Sequence, residues 1–337
     1  MAPMALALPP LAPAGLLAQG TGSPPASIRI GGSSTVFPIM EEAIRAFRAA
    51  GNRAQIELKE TGTTDGFRRF CGGQLDIANA SRPINSQELK ACARNRIRFI
   101  ELPIAFDAIS VVVHPANTWA KQISVAELSK LWGRQAQGKI DRWQEVNSKW
   151  PDRPIKLCGP GRDSGTYDYF NKAISGQPEN SRQDYTASED DNVIAKCVAQ
   201  NPNALGYFGF SYLQANQGKL RALPIVSSSV PVAPSVATVQ SGRYQPLARP
   251  LFLYVNDTAL SQRNDVQKFT TFVVRNGLRL VETAGDIPLP ATTYQLVETK
   301  VYKRDLGSAF AGELPVGLSI GEALRRSFDA KKLPQFR

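Results

Sequence analysis

The sequence has few of the residues on which metal and nucleophilic chemistry depend. It contains one histidine, His114, and four cysteines with no Cys-x-x-Cys pair, which excludes the common zinc-ribbon and thioredoxin-type motifs. It has no H-E-x-x-H motif and no Walker-type loop. A serine nucleophile such as Ser164 needs a general base, and His114 has the context of a strand end. We therefore expect no enzyme, metal or cofactor, with a serine-dependent phosphatase or hydrolase as the weaker alternative.

Positive charge is abundant but is not concentrated in any one stretch. The chain has 40 Lys and Arg against 29 Asp and Glu, a formal net charge of +11, yet no run of five basic residues occurs. No motif that combines aromatic and basic residues is visible, so we expect no nucleic-acid partner. Scattered positive charge is sufficient to enrich small anions near the surface.

Long apolar runs are also missing. Residues 1–26 carry no charge, and the apolar stretch from Met4 to Ala18 is interrupted by three prolines. A bilayer-spanning helix needs about 20 continuous apolar residues, so we predict no membrane span here or later in the chain. The stretch is typical of the apolar and cleavage regions of a secretory signal, with a disordered tail as the alternative. The expected destination is therefore outside the cytoplasm.

The four cysteines agree with export, since an even number suits disulfide bonds. Pairing neighbours in sequence, Cys71 with Cys92 and Cys158 with Cys197, would close one modest loop in each half of the chain. Four cysteines allow three pairings, so the other two pairings and four free thiols remain alternatives.

Strand and helix patterns alternate along the chain. Ile28 to Ile30 is a short strand, and the next segment repeats apolar residues at helical spacing with Pro38 in its first turn. Phe99 to Val113 is interpreted as one or two long strands, and a helix is predicted over Asp257 to Val274. This alternation predicts an α/β architecture with mixed, mostly parallel sheets.

The length of the chain suggests two domains rather than one. Two strand-like segments, Ile104 to Val113 and Leu251 to Val255, flank a middle block of about the size of one domain. We predict a discontinuous outer lobe at residues 27–109 and 250–337, with the middle lobe inserted at 110–249.

Three stretches place glycines and hydroxyl residues where a helix is predicted to begin. They are Gly31-Gly32-Ser33-Ser34-Thr35, Glu60-Thr61-Gly62-Thr63-Thr64-Asp65-Gly66 and Gly161-Arg162-Asp163-Ser164-Gly165-Thr166. A helix N-terminus has unpaired N–H groups and a partial positive charge, so it binds anions, and nearby hydroxyls add donors. Each stretch alone could be an ordinary N-cap. Together they predict one oxyanion site.

Five motifs resemble a known family when they are taken in order. They are Ile-Gly-Gly-Ser-Ser-Thr-Val-Phe-Pro (30–38), Glu-Thr-Gly-Thr-Thr-Asp-Gly-Phe (60–67), Asp-Ile-Ala-Asn-Ala-Ser-Arg-Pro-Ile (76–84), Gly-Arg-Asp-Ser-Gly-Thr-Tyr (161–167) and Asn-Ala-Leu-Gly-Tyr-Phe-Gly-Phe (203–210). The chain resembles the periplasmic phosphate-binding proteins of ABC-type phosphate importers, in particular their cyanobacterial branch. The resemblance implies a two-lobed periplasmic-binding-protein fold of type II with two crossing hinge segments. It also implies a monomer that passes inorganic phosphate to an ABC transporter permease in the inner membrane.

The resemblance also implies which residues contact phosphate. Those that match the family motifs are Ser34, Thr35, the Val36 amide, Thr63, Thr64, Ser81, Arg82, Arg162, Ser164, Gly165 and Thr166. Guanidinium groups suit two oxygens of a tetrahedral dianion, while hydroxyls and amides take the remaining lone pairs. Asp163 is expected to orient Arg162. The alternatives are another oxyanion, such as sulfate or molybdate, and a phosphate scavenger or sensor without a transporter.

The third motif departs from the family pattern. Many members place an aspartate there to accept the proton of monohydrogen phosphate, which sulfate lacks, whereas the resemblance implies that Arg82 occupies that position here. Asp107, in an apolar strand, and Asp65 are the substitutes available, and we include Asp107 among the predicted binding residues. The alternative role for Asp107 is to pair with an arginine and set the hinge geometry. As a minority alternative, Asp191 or Asn192 faces the cleft.

Overall fold

The computed structural model describes residues 27–328, so the predicted signal segment at 1–26 lies outside the described residues. In chain order the strands are β1 (Ile28–Gly32), β2 (Ile56–Glu60), β3 (Ile77–Ala80), β4 (Phe99–Ala108), β5 (Ser110–Val113), β6 (Ile123–Ser124), β7 (Lys156–Pro160), β8 (Thr186–Ser188), β9 (Ala204–Phe208), β10 (Arg221–Ala222), β11 (Ile225–Val226), β12 (Ala248–Asn256) and β13 (Ile287–Pro288).

Helices separate most of these strands. They are α1 (Phe37–Ala49), α2 (Thr63–Cys71), α3 (Ser86–Arg94), α4 (Val125–Trp132), α5 (Trp143–Val146), α6 (Gly165–Ser175), α7 (Asp191–Ala199), α8 (Phe210–Ala215), α9 (Val236–Gln240), α10 (Asp257–Gln262), α11 (Asn264–Arg275), α12 (Gly277–Thr283), α13 (Ala291–Lys303) and α14 (Ile320–Phe328). A 3-10 turn covers Arg134–Ala136. None of the helices within residues 27–328 has the length and apolar character needed to cross a membrane.

The strands form two main sheets. The first sheet has the order β13-β4-β12-β3-β1-β2, and the second has the order β10-β5-β9-β7-β8. Strand β1 pairs in parallel with β2 and β3, and β7 pairs in parallel with β8 and β9. Antiparallel pairs occur where β12 joins β3 and β4 and where β5 joins β9. The predicted α/β architecture with mixed sheets is confirmed.

Local sequence signals account for several helix boundaries. Pro38 lies in the first turn of α1, as predicted. Ser124 caps α4, and the Glu127 side chain accepts a hydrogen bond from the Ser124 amide. The single helix predicted over 257–274 is wrong, because the chain breaks at Arg263, which has an extended backbone between α10 and α11. The Arg263 guanidinium pairs there with Asp76 and Asp265.

The chain passes between the sheets through paired strands. Strands β4 and β12 are antiparallel neighbours, with Asp107 in register with Arg249. The ladder continues one step further, since the Ile109 amide donates to the Leu247 carbonyl at 2.9 Å. We call β4, Ile109, Leu247 and β12 the crossing ribbon. Phe99 to Val113 is therefore two strands that meet at this ribbon.

Two disulfides join neighbouring elements. Cys71 at the end of α2 bonds to Cys92 on α3, and Cys158 on β7 bonds to Cys197 on α7. Of the pairings left open by the sequence, these are the ones between neighbours in sequence. No cysteine within the described residues is free.

Candidate functional site

Three helix N-termini meet where the two sheets face each other. Helix α1 follows β1, α2 follows β2, and α6 follows β7, so two starts come from the first sheet and one from the second. The hydroxyl oxygens of Thr35, before α1, and Thr166, in α6, are 3.2 Å apart and buried. The predicted convergence of the three helix starts is therefore present in the structure.

The second helix start lies against the same point of α6. The Thr63 hydroxyl is 3.2 Å from that of Ser81, and it accepts a hydrogen bond from the Ser81 amide at 3.2 Å. A Cβ atom on Gly165 would lie 2.6 Å from Thr63 Oγ1 and 2.7 Å from Ser81 Oγ. Only a glycine allows this close approach between the two sheets.

Backbone donors line the same region. Within residues 27–328, no protein acceptor takes the main-chain N–H groups of Ser34, Thr35, Val36 or Gly165. The Ser164 side chain caps α6 by accepting from the Thr166 amide at 3.1 Å. Unpaired amides at helix starts, next to buried hydroxyls, are the donor set that an oxyanion requires.

A buried ion pair of the crossing ribbon adjoins these hydroxyls. Arg249 donates from Nε at 2.9 Å and from Nη2 at 2.7 Å to Oδ2 of Asp107, and both side chains are fully buried. The other Asp107 oxygen, Oδ1, accepts from the Phe210 amide at 2.8 Å. Of the two roles weighed for Asp107, the structure shows the pairing with an arginine, and its oxygens are already occupied.

Arg82 is also buried, but its guanidinium faces protein acceptors. It donates to Asp168 on α6 from Nε at 2.7 Å and to Glu88 on α3 from Nη1 and Nη2 at 2.9 and 2.8 Å. Its remaining hydrogens go to the Pro83 carbonyl at 3.1 Å and the Thr64 hydroxyl at 2.9 Å. All five donors of this guanidinium therefore have partners within the protein.

Two predicted side chains lie away from the cluster. Arg162 is exposed and donates from Nε to the Gln183 side chain at 2.8 Å. Asp65, one of the substitutes considered for the proton acceptor, pairs instead with Arg68 and, at 2.6 Å, with Arg69 on its own helix. The structure thus brings together Ser34, Thr35, Val36, Thr63, Thr64, Ser81, Arg82, Asp107, Ser164, Gly165 and Thr166, without Arg162.

Further contacts tie the sheets together around the cluster. The Thr64 amide donates to the Asp163 carbonyl at 2.8 Å, and the Tyr212 hydroxyl donates to the Ser34 carbonyl at 3.1 Å. Gly62 has φ +83°, and a Cβ there would lie 2.4 Å from the Asp163 carbonyl oxygen. The facing loops are therefore in direct contact.

Carboxyl groups with raised pKa values lie beside the same interface. Burial raises the pKa of Glu60 to about 7, with a further contribution from the charge of Asp190, and burial raises that of Glu189 to about 7. Asp191, at the start of α7, is fully buried, and burial raises its pKa well above the usual range. The nearby charge of Arg249 and the Gly209 amide oppose this rise in the pKa of Asp191 without cancelling it.

Sequence reasoning missed two of the charged residues at the interface, Arg249 and Asp168. The available signal for Arg249 was a lone charge within the apolar strand 248–255, and for Asp168 it was a carboxylate one turn beyond the third helix start. No group of three or more potential ligand side chains in the described part of the chain could hold a metal ion.

Comparison with known proteins places the chain in a family. A model of the PBP superfamily domain matches residues 19–276. Protein SphX of Synechocystis sp. is 44% identical over 300 residues, which cover 89% of each chain. The phosphate-binding protein PstS of Staphylococcus epidermidis is 33% identical over 267 residues, 78% of this chain and 79% of the relative.

Solved structures agree with this assignment. A possible phosphate-binding protein from Planctomyces limnophilus is 38% identical, with a TM-score of 0.61 over 82% of this chain and 98% of that one. A putative phosphate ABC transporter substrate-binding protein with bound phosphate from Clostridium perfringens has a TM-score of 0.66 over 79% of this chain and all of that one; at 24% identity it supports the fold alone. The chain therefore belongs to the PBP superfamily and, within it, to the PstS-like family of non-enzymatic substrate-binding proteins, in the branch of the SphX proteins.

Proposed function

We propose that this protein binds inorganic phosphate between its two sheets. The observation that carries the proposal is the meeting of three helix starts, from both sheets, around buried hydroxyls and unpaired amides. These groups can replace the water shell of a four-oxygen anion, and each hydrogen bond to a charged group contributes about 1.5–3 kcal/mol. The names of the staphylococcal and planctomycete relatives support phosphate as the ligand.

The two sheets would then act as two lobes that close on the ligand. We place the lobes at residues 27–109 with 250–337 and at 110–249, and the crossing ribbon between them acts as the hinge. Binding shifts the population towards the closed form only as far as the anion prefers that form. The predicted contacts are Ser34, Thr35, Val36, Thr63, Ser81, Ser164, Gly165 and Thr166, with Thr64, Arg82 and Asp107 acting through neighbouring side chains.

The ligand is tested by calorimetry on the purified protein with phosphate, arsenate, sulfate and molybdate in parallel. Tight, saturable binding of phosphate with a stoichiometry of one is the expected result. If sulfate or molybdate binds more tightly, the protein serves another tetrahedral oxyanion. If no oxyanion binds, the proposed function is wrong. Sustained release of product from a generic phosphomonoester would instead assign an enzyme.

We further propose that the protein works outside the inner membrane as a monomer and delivers phosphate to an ABC importer there. The relationship to PstS proteins and the signal-like residues 1–26 support this location. Phosphate uptake by cells that lack the gene, with and without its restoration, tests delivery. Unchanged uptake at limiting phosphate would leave binding without transport, as in a scavenger.

A further inference from the structure

Arg249 has a donor group that no atom of residues 27–328 accepts from. The side chain is fully buried, yet its Nη1 atom makes no hydrogen bond within the described residues. Leaving a buried donor unpaired costs about 1–3 kcal/mol, and more for a charged group. A fully buried cation with two free N–H bonds beside an anion site therefore indicates a ligand-facing group.

The other end of the same guanidinium contacts both sides of the interface. Its Nη2 atom lies 3.1 Å from Thr35 Oγ1 and 2.9 Å from Thr166 Oγ1, so one of its two hydrogens goes to Asp107 and the other is shared between the two threonines. A hydroxyl oxygen that accepts from arginine keeps its own hydrogen free to donate. Because one of the two threonine hydroxyls can donate to the other at 3.2 Å, the other hydroxyl keeps its hydrogen for a ligand beside the pair.

The position of Arg249 in the fold makes this contact independent of flexible loops. Its backbone lies in β12, in register with Asp107 on β4, and the two hydrogen bonds that it donates to Asp107 fix the plane of the guanidinium. Arg162, by contrast, is exposed and bonded to Gln183. Rigid strands position binding groups more accurately than loops do.

We propose that Arg249, rather than Arg162, is the guanidinium of the anion site. It acts as a positioning residue by holding the Thr35 and Thr166 hydroxyl oxygens together beside the anion, and it presents its own Nη1 group to the same ligand. This inference rests on the proposed function, because it names the residue that carries the positive charge at that site.

A double-mutant cycle on phosphate affinity tests the role of Arg249. Arg249→Lys keeps a cation next to Asp107 but cannot reach both threonines, so we expect affinity to fall at least about tenfold. Thr166→Val should cost about tenfold on its own, because it removes one hydroxyl that donates to a charged ligand. The double variant should bind nearly as well as Arg249→Lys alone, because residues that act as one unit are not additive.

The matched cycle combines Arg249→Lys with Thr63→Val, whose hydroxyl contacts Ser81 and not Arg249. The fold-losses of phosphate affinity caused by these two substitutions should multiply in the double variant. Arg162→Ala should weaken binding less than Arg249→Lys. The inference is wrong if the losses of phosphate affinity multiply in both cycles, or if Arg249→Lys binds phosphate as tightly as the wild type. Phosphate binding by the wild-type protein would still support the proposed function in either case.

Folding of each variant is checked by thermal unfolding without ligand. If Arg249→Lys does not fold, the neutral pair Asp107→Asn with Arg249→Gln replaces it, since this pair leaves no buried charge unpaired. The same coupling to Thr166→Val is expected for the neutral pair. Its absence would count against Arg249 as firmly as in the first cycle.

Discussion

Arg82 of the first sheet and Asp168 of the second are joined at 2.7 Å between Nε and Oδ2. Glu88 holds the same guanidinium by two hydrogen bonds from the first-sheet side, so Arg82 is oriented before the sheets meet. Arg82 therefore connects the two sides of the interface.

We expect Asp168→Ala to weaken phosphate binding about tenfold, because it leaves a buried Arg82 donor unpaired only in the closed form. Burial raises the pKa of Asp168 more than the charge of Arg82 lowers it, so Asp168→Asn, which keeps an acceptor, should cost less. Calorimetry measures both affinities. Asp184→Asn is the matched control, since Asp184 pairs with the buried Arg182 only two residues away. An equal loss in the control would show that general destabilisation, and not the contact across the interface, weakens binding.

Asp191 is a fully buried carboxyl at the start of α7, near the charge of Arg249. When Asp191 is ionised, a ligand hydroxyl can donate to it, whereas a fully ionised anion such as sulfate places oxygens against it; because burial raises the pKa of Asp191, this discrimination applies only at a pH where the carboxyl has lost its proton. Asp191→Asn should therefore narrow the preference for phosphate over sulfate by about tenfold. Competition calorimetry with the two anions gives the ratio.

Asp190→Asn is the control for Asp191, because it removes the same charge one residue earlier and keeps a residue able to cap α7. We expect its selectivity to match the wild type. A selectivity change of the same size in both variants would mean that total charge, and not a specific acceptor, discriminates between the anions.

The raised pKa values of Glu60 and Glu189 predict that closure takes up protons. Burial raises both from 4.5 to about 7, so protonation favours the closed form at low pH. This contribution is complete below 4.5 and is lost as pH rises towards about 7. As pH rises from 4.5 to about 7, the phosphate affinity of the wild type should therefore fall relative to that of the double variant Glu60→Gln, Glu189→Gln.

The titration of phosphate itself changes the affinity of both proteins equally, so its effect cancels when the two affinities are compared at each pH. Calorimetry in buffers of different ionisation enthalpy counts the protons taken up on binding. Identical proton uptake by the wild type and the double variant at pH 6 would exclude these two glutamates as the source.

Gly165 sets how closely the sheets approach. A methyl group there meets Thr63 Oγ1 and Ser81 Oγ at 2.6 and 2.7 Å, so Gly165→Ala should force the sheets apart. Overpacking typically costs about 1–3 kcal/mol, and we expect at least a tenfold loss of phosphate affinity with little change in unfolding temperature without ligand. Gly321→Ala, in α14 with no atom near its Cβ, should bind as the wild type does. Wild-type affinity in Gly165→Ala would mean that closure tolerates a wider gap.

Local signals in the sequence were sufficient to predict the helix starts of the site. Gly-Ser-Ser-Thr, Thr-Gly-Thr-Thr and Ser-Gly-Thr each precede or open a helix, because small hydroxyl residues and glycine suit these positions. The mixed α/β architecture follows from the alternation of strand and helix patterns, and the family was confirmed by comparison. The lobe boundaries near 109 and 249 remain a prediction.

The direction of long side chains could not be predicted in the same way. Arg162 is adjacent in sequence to the third helix start, yet its side chain turns outward to Gln183. Arg249 is 83 residues beyond Thr166 and 142 beyond Asp107, and only the pairing of β4 with β12 brings these groups together. Contacts of this kind depend on the tertiary arrangement, which no local pattern encodes.

The crossing ribbon has a mechanical consequence. Because both connections run side by side and share hydrogen bonds up to Ile109 and Leu247, they cannot slide past each other without breaking the ladder. The crossing ribbon can therefore move at low energy only by bending or twisting as a single unit. Arg249 belongs to β12 of the crossing ribbon, so any bending of the ribbon moves the guanidinium and, with it, the two threonine hydroxyls that it contacts.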